Sequence, residues 1–65
     1  MSKNEYRAAL KKIGLSQERA GVLLGIGKRT SQGYALGEYP VSSTVRKLLQ
    51  VMVKYGLDPK EVEGL

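Results

Sequence analysis

The chain has 65 residues and a net charge of +5, and it contains neither cysteine nor histidine, which excludes disulfides, the common zinc ligand sets and histidine-assisted nucleophiles. No two of its six acidic residues have a spacing that suggests a general acid and base, so we expect no enzyme activity, no metal, no cofactor and no small-molecule substrate. The length is near the lower limit for independent folding, so residues 1–65 are expected to form a single domain.

The first helix is predicted over Asn4–Ile13 and ends at Gly14. Its apolar residues recur at helical spacing and form the stripe Tyr6, Ala9, Leu10 and Ile13. The opposite face carries Lys3, Arg7 and Lys11 at steps of four. Like charges at this spacing repel slightly, so this face is either simply solvated or lies beside phosphates.

The second helix is predicted to begin at the cap residue Ser16 and to end at Gly25. Its buried stripe is Ala20, Leu23 and Leu24. A third helix is predicted over Lys28–Leu36, with Gly37 as its stop. In that third helix Ser31 and Tyr34 are expected to face the core. The expected exposed face is polar and cationic and consists of Lys28, Arg29, Gln32 and Gly33.

A loop is predicted at 38–40, because Pro40 cannot continue a helix. The fourth helix is capped by Ser42 or Ser43 and ends at Gly56; its core stripe is Val45, Leu48, Leu49 and Met52. Val51 and Tyr55 form a second apolar ridge on the same helix. A short last helix is predicted over Lys60–Glu63, with Asp58 and Pro59 at its start. The predicted fold class is therefore all-α, a compact bundle of four or five helices.

The charge is unevenly distributed along the chain. Residues 1–47 carry nine Lys or Arg and three acids, a net charge of +6, whereas residues 48–65 have a net charge of −1. This favours a polyanionic partner for the first two-thirds of the chain, although a solvated surface is the plain alternative. The apolar stretches 22–24 and 51–53 are too short to span a bilayer and no apolar leader is seen, so we expect a cytoplasmic protein with no membrane partner.

A helix-turn-helix pattern requires a small residue in the first helix, a turn glycine and apolar residues on both sides of the turn. Gly21, Gly25, Ile26 and Tyr34 fit these roles. Here the chain resembles the lambda-repressor-like helix-turn-helix family, the Cro/C1 or XRE class of bacterial and phage regulators. The resemblance covers about residues 5–55. Its most specific residues are 14–18, 24–26, Arg29-Thr30, Gly37-Glu38 and Pro40-Val41.

The resemblance implies that the second helix lies across the DNA backbone and that the third enters the major groove. It places Lys28, Arg29 and Gln32 at base edges, and Gln17 at a base edge or a phosphate. Arg29 pairs well with guanine and Gln32 with adenine. Further phosphate contacts are expected from side chains along the chain: Arg7, Lys11, Arg19, Thr30, Ser42, Ser43, Arg46 and Lys47.

Three residues depart from the family pattern. Ser31 stands where a branched aliphatic residue is usual, Gly33 where a contact-making side chain is common, and Gly21 in place of alanine. Each glycine costs a helix about 1 kcal/mol relative to alanine. We therefore expect DNA reading to depend on DNA shape, or on close approach of the backbone at Gly33, which joins the expected base-contact residues.

So small a domain contacts few base pairs, so a homodimer on a palindromic operator is expected. The candidate interface is the set Val51, Tyr55, Leu57, Val62 and Leu65. The alternative is that the last helix folds back and covers this ridge. The sequence thus predicts a regulator of transcription, a repressor that binds double-stranded DNA. The alternative from another class is a protein-interaction module, such as an antitoxin or phage accessory factor. RNA is disfavoured because its A-form groove is too narrow for a helix.

Overall fold

A computed structural model of the chain describes residues 1–64, which form five α-helices and no strand. The helices are α1 (Lys3–Ile13), α2 (Gln17–Leu24), α3 (Lys28–Leu36), α4 (Ser43–Tyr55) and α5 (Pro59–Glu63). The predicted all-α class is confirmed. None of the helices within residues 1–64 is long and apolar enough to cross a membrane.

Side-chain caps start α2, α4 and α5 at the predicted positions. The Ser16 hydroxyl accepts a hydrogen bond from the Arg19 amide at the start of α2, and Ser42 accepts one from Val45 at the start of α4. Asp58 caps α5 in the same manner. Each cap satisfies a backbone N–H group that has no partner within its helix, which is why the local sequence sets the helix start.

The first helix begins one residue earlier than predicted. Ser2 is its cap, and a reciprocal pair of hydrogen bonds joins Ser2 and Glu5. The bond from the Ser2 backbone N–H is the main reason that the pKa of Glu5 is lowered from its usual value. This capping box holds the first turn of α1 together.

Helices α1 to α4 end at Gly14, Gly25, Gly37 and Gly56, as predicted. All four have a positive φ, which a glycine adopts without steric cost. The packing contacts join both consecutive and non-consecutive helices. Helix α3 packs against both α2 and α1, α4 packs against α1, and α5 touches α2.

The core is formed by buried apolar residues from α1 to α4. These core residues are Tyr6, Ala9, Leu10, Ala20, Tyr34, Ala35, Val45, Leu49 and Met52. The predicted stripes therefore face inward, but four of their members, Ile13, Leu23, Leu24 and Leu48, are only half-buried. The small number of helices leaves one side of these residues at the surface, as expected for a domain of this size.

Candidate nucleic-acid interface

Three polar residues on the outer side of α3 form the surface that we call the α3 outer face: Lys28, Arg29 and Gln32. All three are exposed, as predicted. They point outward because Ser31 and Tyr34 are buried on the opposite side of the helix. Arg29 and Gln32 line one surface hollow together with Leu36, Glu38 and Tyr39.

The backbone between α2 and α3 comes unusually close to α2. The carbonyl of Gly21 accepts hydrogen bonds from the amides of Ile26 and Gly27 at 3.0 and 3.1 Å. A Cβ on Gly21 would overlap the backbone carbonyl of Gly27. Gly27 itself has φ 83° and ψ 159°, a conformation essentially restricted to glycine. Gly21 stands where the family pattern has alanine, and its lack of a side chain therefore lets α2 and the turn before α3 approach each other. This approach sets the position of α3.

Ser31, the second departure, forms a buried polar contact with α1. Its hydroxyl lies 2.6 Å from the hydroxyl of Tyr6, and both residues are fully buried. Burial raises the pKa of Tyr6 more than this hydrogen bond lowers it. The pair satisfies two polar groups that would otherwise be costly inside the core, which explains a serine at an inward position.

Gly33, the third departure, is not exposed, so the prediction that the backbone there is open to a partner is wrong. Gly33 is buried because the loop after α3 folds back and lays the ring of Tyr39 over it. A Cβ at position 33 would overlap that ring. The Tyr39 hydroxyl donates to the carbonyl oxygen of Arg29 at 3.4 Å, and the ring packs edge to face on Tyr34 at 5.8 Å. The surface at position 33 is therefore made by a tyrosine from the loop.

The end of α1 and the start of α2 bring together three of the expected DNA contacts. Arg7, Lys11 and Gln17 line a second hollow with the cap residue Ser16. Arg7 and Lys11 are exposed and Gln17 is half-buried. A hollow with two cations beside the positive end of a helix is a favourable place for a phosphate.

Two of the cationic candidates form ion pairs within the domain. Lys28 lies 3.8 Å from Glu18 of α2, and Arg19 lies 3.3 Å from Glu63 of α5. All four side chains are substantially exposed, so each pair contributes little to stability. A phosphate or base edge would have to compete with these carboxylates.

The remaining expected phosphate contacts are spread over α3 and α4. Thr30 is half-buried, and the Ser42 hydroxyl is occupied by its capping bond, while Ser43 is exposed. Arg46 is half-buried, and its Nε atom has no hydrogen-bond partner among residues 1–64. Lys47 is exposed and lines a hollow with residues of α4 alone.

The candidate dimer residues do not share one hollow. Val51 and Tyr55, which we call the α4 ridge, are 44% and 65% exposed and line a hollow with Lys47 and Lys54. Leu57 lines a different hollow, against the end of α1. Val62 lies half-buried on α5, and Leu65 lies outside the described residues. Because α5 packs against α2, the alternative that it covers the ridge is wrong.

Sequence reasoning missed Tyr39 and the acidic partners of Lys28 and Arg19. A signal for Tyr39 was present, because a glycine inside a helix is costly and an aromatic residue follows six positions later.

Within residues 1–64, no group of three or more acidic side chains could hold a metal ion.

Comparisons with protein-family models, curated proteins and solved structures find no match to this chain. The resemblance to the lambda-repressor-like family therefore depends on the residues of the chain itself. The features that bear on function are the exposed polar side of α3, the hollow between α1 and α2, and the turn that joins α2 to α3.

Proposed function

We propose that this protein is a sequence-specific, double-stranded DNA-binding regulator of transcription that places α3 in the major groove. The observation that carries the proposal is the α3 outer face: Arg29 and Gln32 lie exposed in one hollow, on a helix joined to α2 by a three-residue turn. A helix of this kind fits the width of the B-form major groove. The resemblance to the lambda-repressor-like family supports the same function.

Base reading is assigned to the side chains of the α3 outer face. The Arg29 guanidinium can donate two hydrogen bonds to O6 and N7 of guanine, and the Gln32 amide can pair with N6 and N7 of adenine. Lys28 contributes a third donor once it leaves Glu18, to which it is held by an exposed pair at 3.8 Å. That exchange costs little because the pair is solvated.

Affinity is assigned mainly to phosphate contacts, with Arg7, Lys11 and Gln17 at one strand of the duplex. Their shared hollow lies where α2 begins, so the backbone N–H groups of its first turn are close by. The chain's net charge of +5 adds long-range attraction to the duplex. These contacts position α3 but do not themselves distinguish sequences.

The regulator acts as a homodimer on a palindromic operator and represses by occupying it, in the cytoplasm where that DNA lies. The exposed α4 ridge supports a dimer because two large apolar side chains on one short helix are left uncovered by the rest of residues 1–64. Two copies would double the number of base pairs read, as the small size of one domain requires.

The decisive experiment is selection from a random duplex library at near-physiological salt, followed by sequencing of the bound fraction. An enriched palindrome is the expected result, and its half-site spacing would report the separation of the two α3 helices. A single unrepeated half-site would retain sequence-specific binding and contradict the dimer. Absence of enrichment, with binding that disappears as salt rises, would contradict the proposal and favour a protein partner.

A further inference from the structure

Tyr39 belongs to a loop, yet its ring lies on the outer side of α3. Tyr39 is 40% exposed and lines the same hollow as Arg29, Gln32, Leu36 and Glu38. Its position is held on three sides. It lies over Gly33, it packs edge to face on Tyr34, and its hydroxyl donates to the Arg29 carbonyl.

This position depends on the absence of a side chain at Gly33. An alanine there would favour the helix by about 1 kcal/mol, but its Cβ would overlap the outer atoms of the Tyr39 ring. Those atoms are the far end of a flexible side chain, so the ring would move away from the helix while the fold is kept. Gly33 and Tyr39 thus act as a pair, in which the glycine makes the space and the loop supplies the side chain.

The pair places an aromatic ring in the hollow that Arg29 and Gln32 also line. Arg29 and Gln32 bring hydrogen-bond donors to the hollow, whereas the Tyr39 ring and the side chain of Leu36 bring apolar groups. The Tyr39 hydroxyl is already bonded to the Arg29 carbonyl. In the major groove, the one apolar group that distinguishes base pairs is the 5-methyl group of thymine.

We propose that Tyr39 is a specificity-determining residue, whose ring, held over Gly33, contacts the 5-methyl group of a thymine beside the bases that Arg29 and Gln32 read. This inference rests on the proposed function, since it requires α3 to enter the major groove. It adds a residue outside the helix to the reading surface, and it accounts for a glycine on the outer side of α3.

The test uses the full chain and the preferred duplex from the selection experiment. Each thymine of that duplex is replaced singly by deoxyuridine, which removes only the methyl group, and the dissociation constant is measured by titration. One replacement is expected to weaken binding about fourfold, the effect of burying a single methyl group. Replacements outside the contact are expected to have no effect.

Protein variants connect this effect to the ring. We call the dissociation constant for the uracil duplex divided by that for the thymine duplex the methyl ratio. Tyr39→Ala and Gly33→Ala are each expected to reduce the methyl ratio at that position to about one. Tyr39→Phe keeps the ring and is expected to keep the ratio. Val22→Ala, which removes an exposed apolar side chain of α2, is the control and should also keep it. Thermal unfolding of each variant verifies that the fold is retained.

The outcomes separate this inference from the proposed function. If the unaltered chain selects no site, both fail. If it selects a site but no thymine is sensitive to uracil, or if Tyr39→Ala keeps the ratio, only the role of Tyr39 is overturned. If Tyr39→Ala lowers this ratio of dissociation constants to about one but Gly33→Ala leaves it unchanged, the ring does not contact the thymine from its position over Gly33. The assignment of the pair is then wrong.

Discussion

Helices α3 and α4 are held in the domain by different contacts. Helix α4 places Val45, Leu49 and Met52 in the core, at the spacing of a regular amphipathic helix. Helix α3 places Tyr34 and Ala35 in the core but also buries Ser31 against the hydroxyl of Tyr6. The turn before it passes so close to α2 that only glycine fits at position 21. Apolar contacts therefore hold α4, whereas α3 combines apolar contacts with a buried hydroxyl pair and a close backbone approach.

The outer sides of the two helices differ in the same way. The α4 ridge consists of two large, exposed apolar side chains that line a hollow with two lysines. The α3 outer face is polar, and the Tyr39 ring beside it comes from a loop and occupies a space that Gly33 leaves free. Groups that must meet base edges need defined positions, which a helix fixed by specific contacts provides. A surface that buries apolar area needs much less precision.

Gly21→Ala is expected to have the largest effect. The added Cβ meets the backbone of Gly27, which cannot move without shifting α3, so we expect the free energy of unfolding to fall by about 2 to 3 kcal/mol. Chemical denaturation measures this change. Gly33→Ala is the matched control: its Cβ meets a movable ring, so stability should change by less than about 1 kcal/mol. Equal losses at the two glycines would contradict the difference between a backbone and a side-chain contact.

Arg29→Ala is expected to weaken binding to the preferred site by about 1 to 3 kcal/mol and to relax one base position, because a bidentate contact with a base is lost. The measurement is a titration against the preferred duplex and its single-base variants. Lys54→Ala, which removes a cation beside the α4 ridge, is the matched control and should leave the base preference unchanged. An equal loss on every sequence would assign Arg29 to a phosphate.

Tyr6→Phe is expected to lower the free energy of unfolding by about 1 to 2 kcal/mol, since it leaves the buried Ser31 hydroxyl without this partner. The double variant with Ser31→Ala should lose less than the sum of the two single changes. Additive losses in denaturation experiments would show that the two hydroxyls do not depend on each other.

The same tyrosine predicts a pH dependence. Burial raises the pKa of Tyr6 above its ordinary value of 10.0, so the folded state holds the phenolic proton more tightly than the unfolded state. The corresponding stability is fully present below about pH 10 and is lost as pH rises through the folded-state pKa. Unfolding measured across this range should show a decline that is smaller in Tyr6→Phe. An unchanged slope in that variant would assign the decline to other groups.

The smallest effect on stability is expected on the α4 ridge. Val51→Ser combined with Tyr55→Ser changes exposed side chains only, so each should alter the free energy of unfolding of the monomer by no more than about 0.5 kcal/mol. If the ridge is the dimer contact, sedimentation should nevertheless show a clear shift toward the monomer. An unaltered sedimentation profile would place the dimer contact elsewhere.

The helix ends could be predicted from the sequence, because the signals are local. Ser16, Ser42 and Asp58 cap the N-H groups of the turn that follows each of them, and these bonds form within three residues. The exposure of Lys28, Arg29 and Gln32 was also predictable, since the helical period puts them opposite the buried Ser31 and Tyr34. Whether those exposed side chains contact DNA remains a prediction.

By itself, the sequence determined the all-α class, the order and ends of the helices and the polar character of the α3 outer face, because caps, terminal glycines and periodicity act over a few residues. Only the tertiary structure decided that Tyr39 covers Gly33, that Ser31 bonds Tyr6, and that Arg19 pairs with Glu63 of α5 while the α4 ridge stays uncovered. These contacts join residues from different elements, and no helical period specifies which loop ring or distant helix will meet a given face.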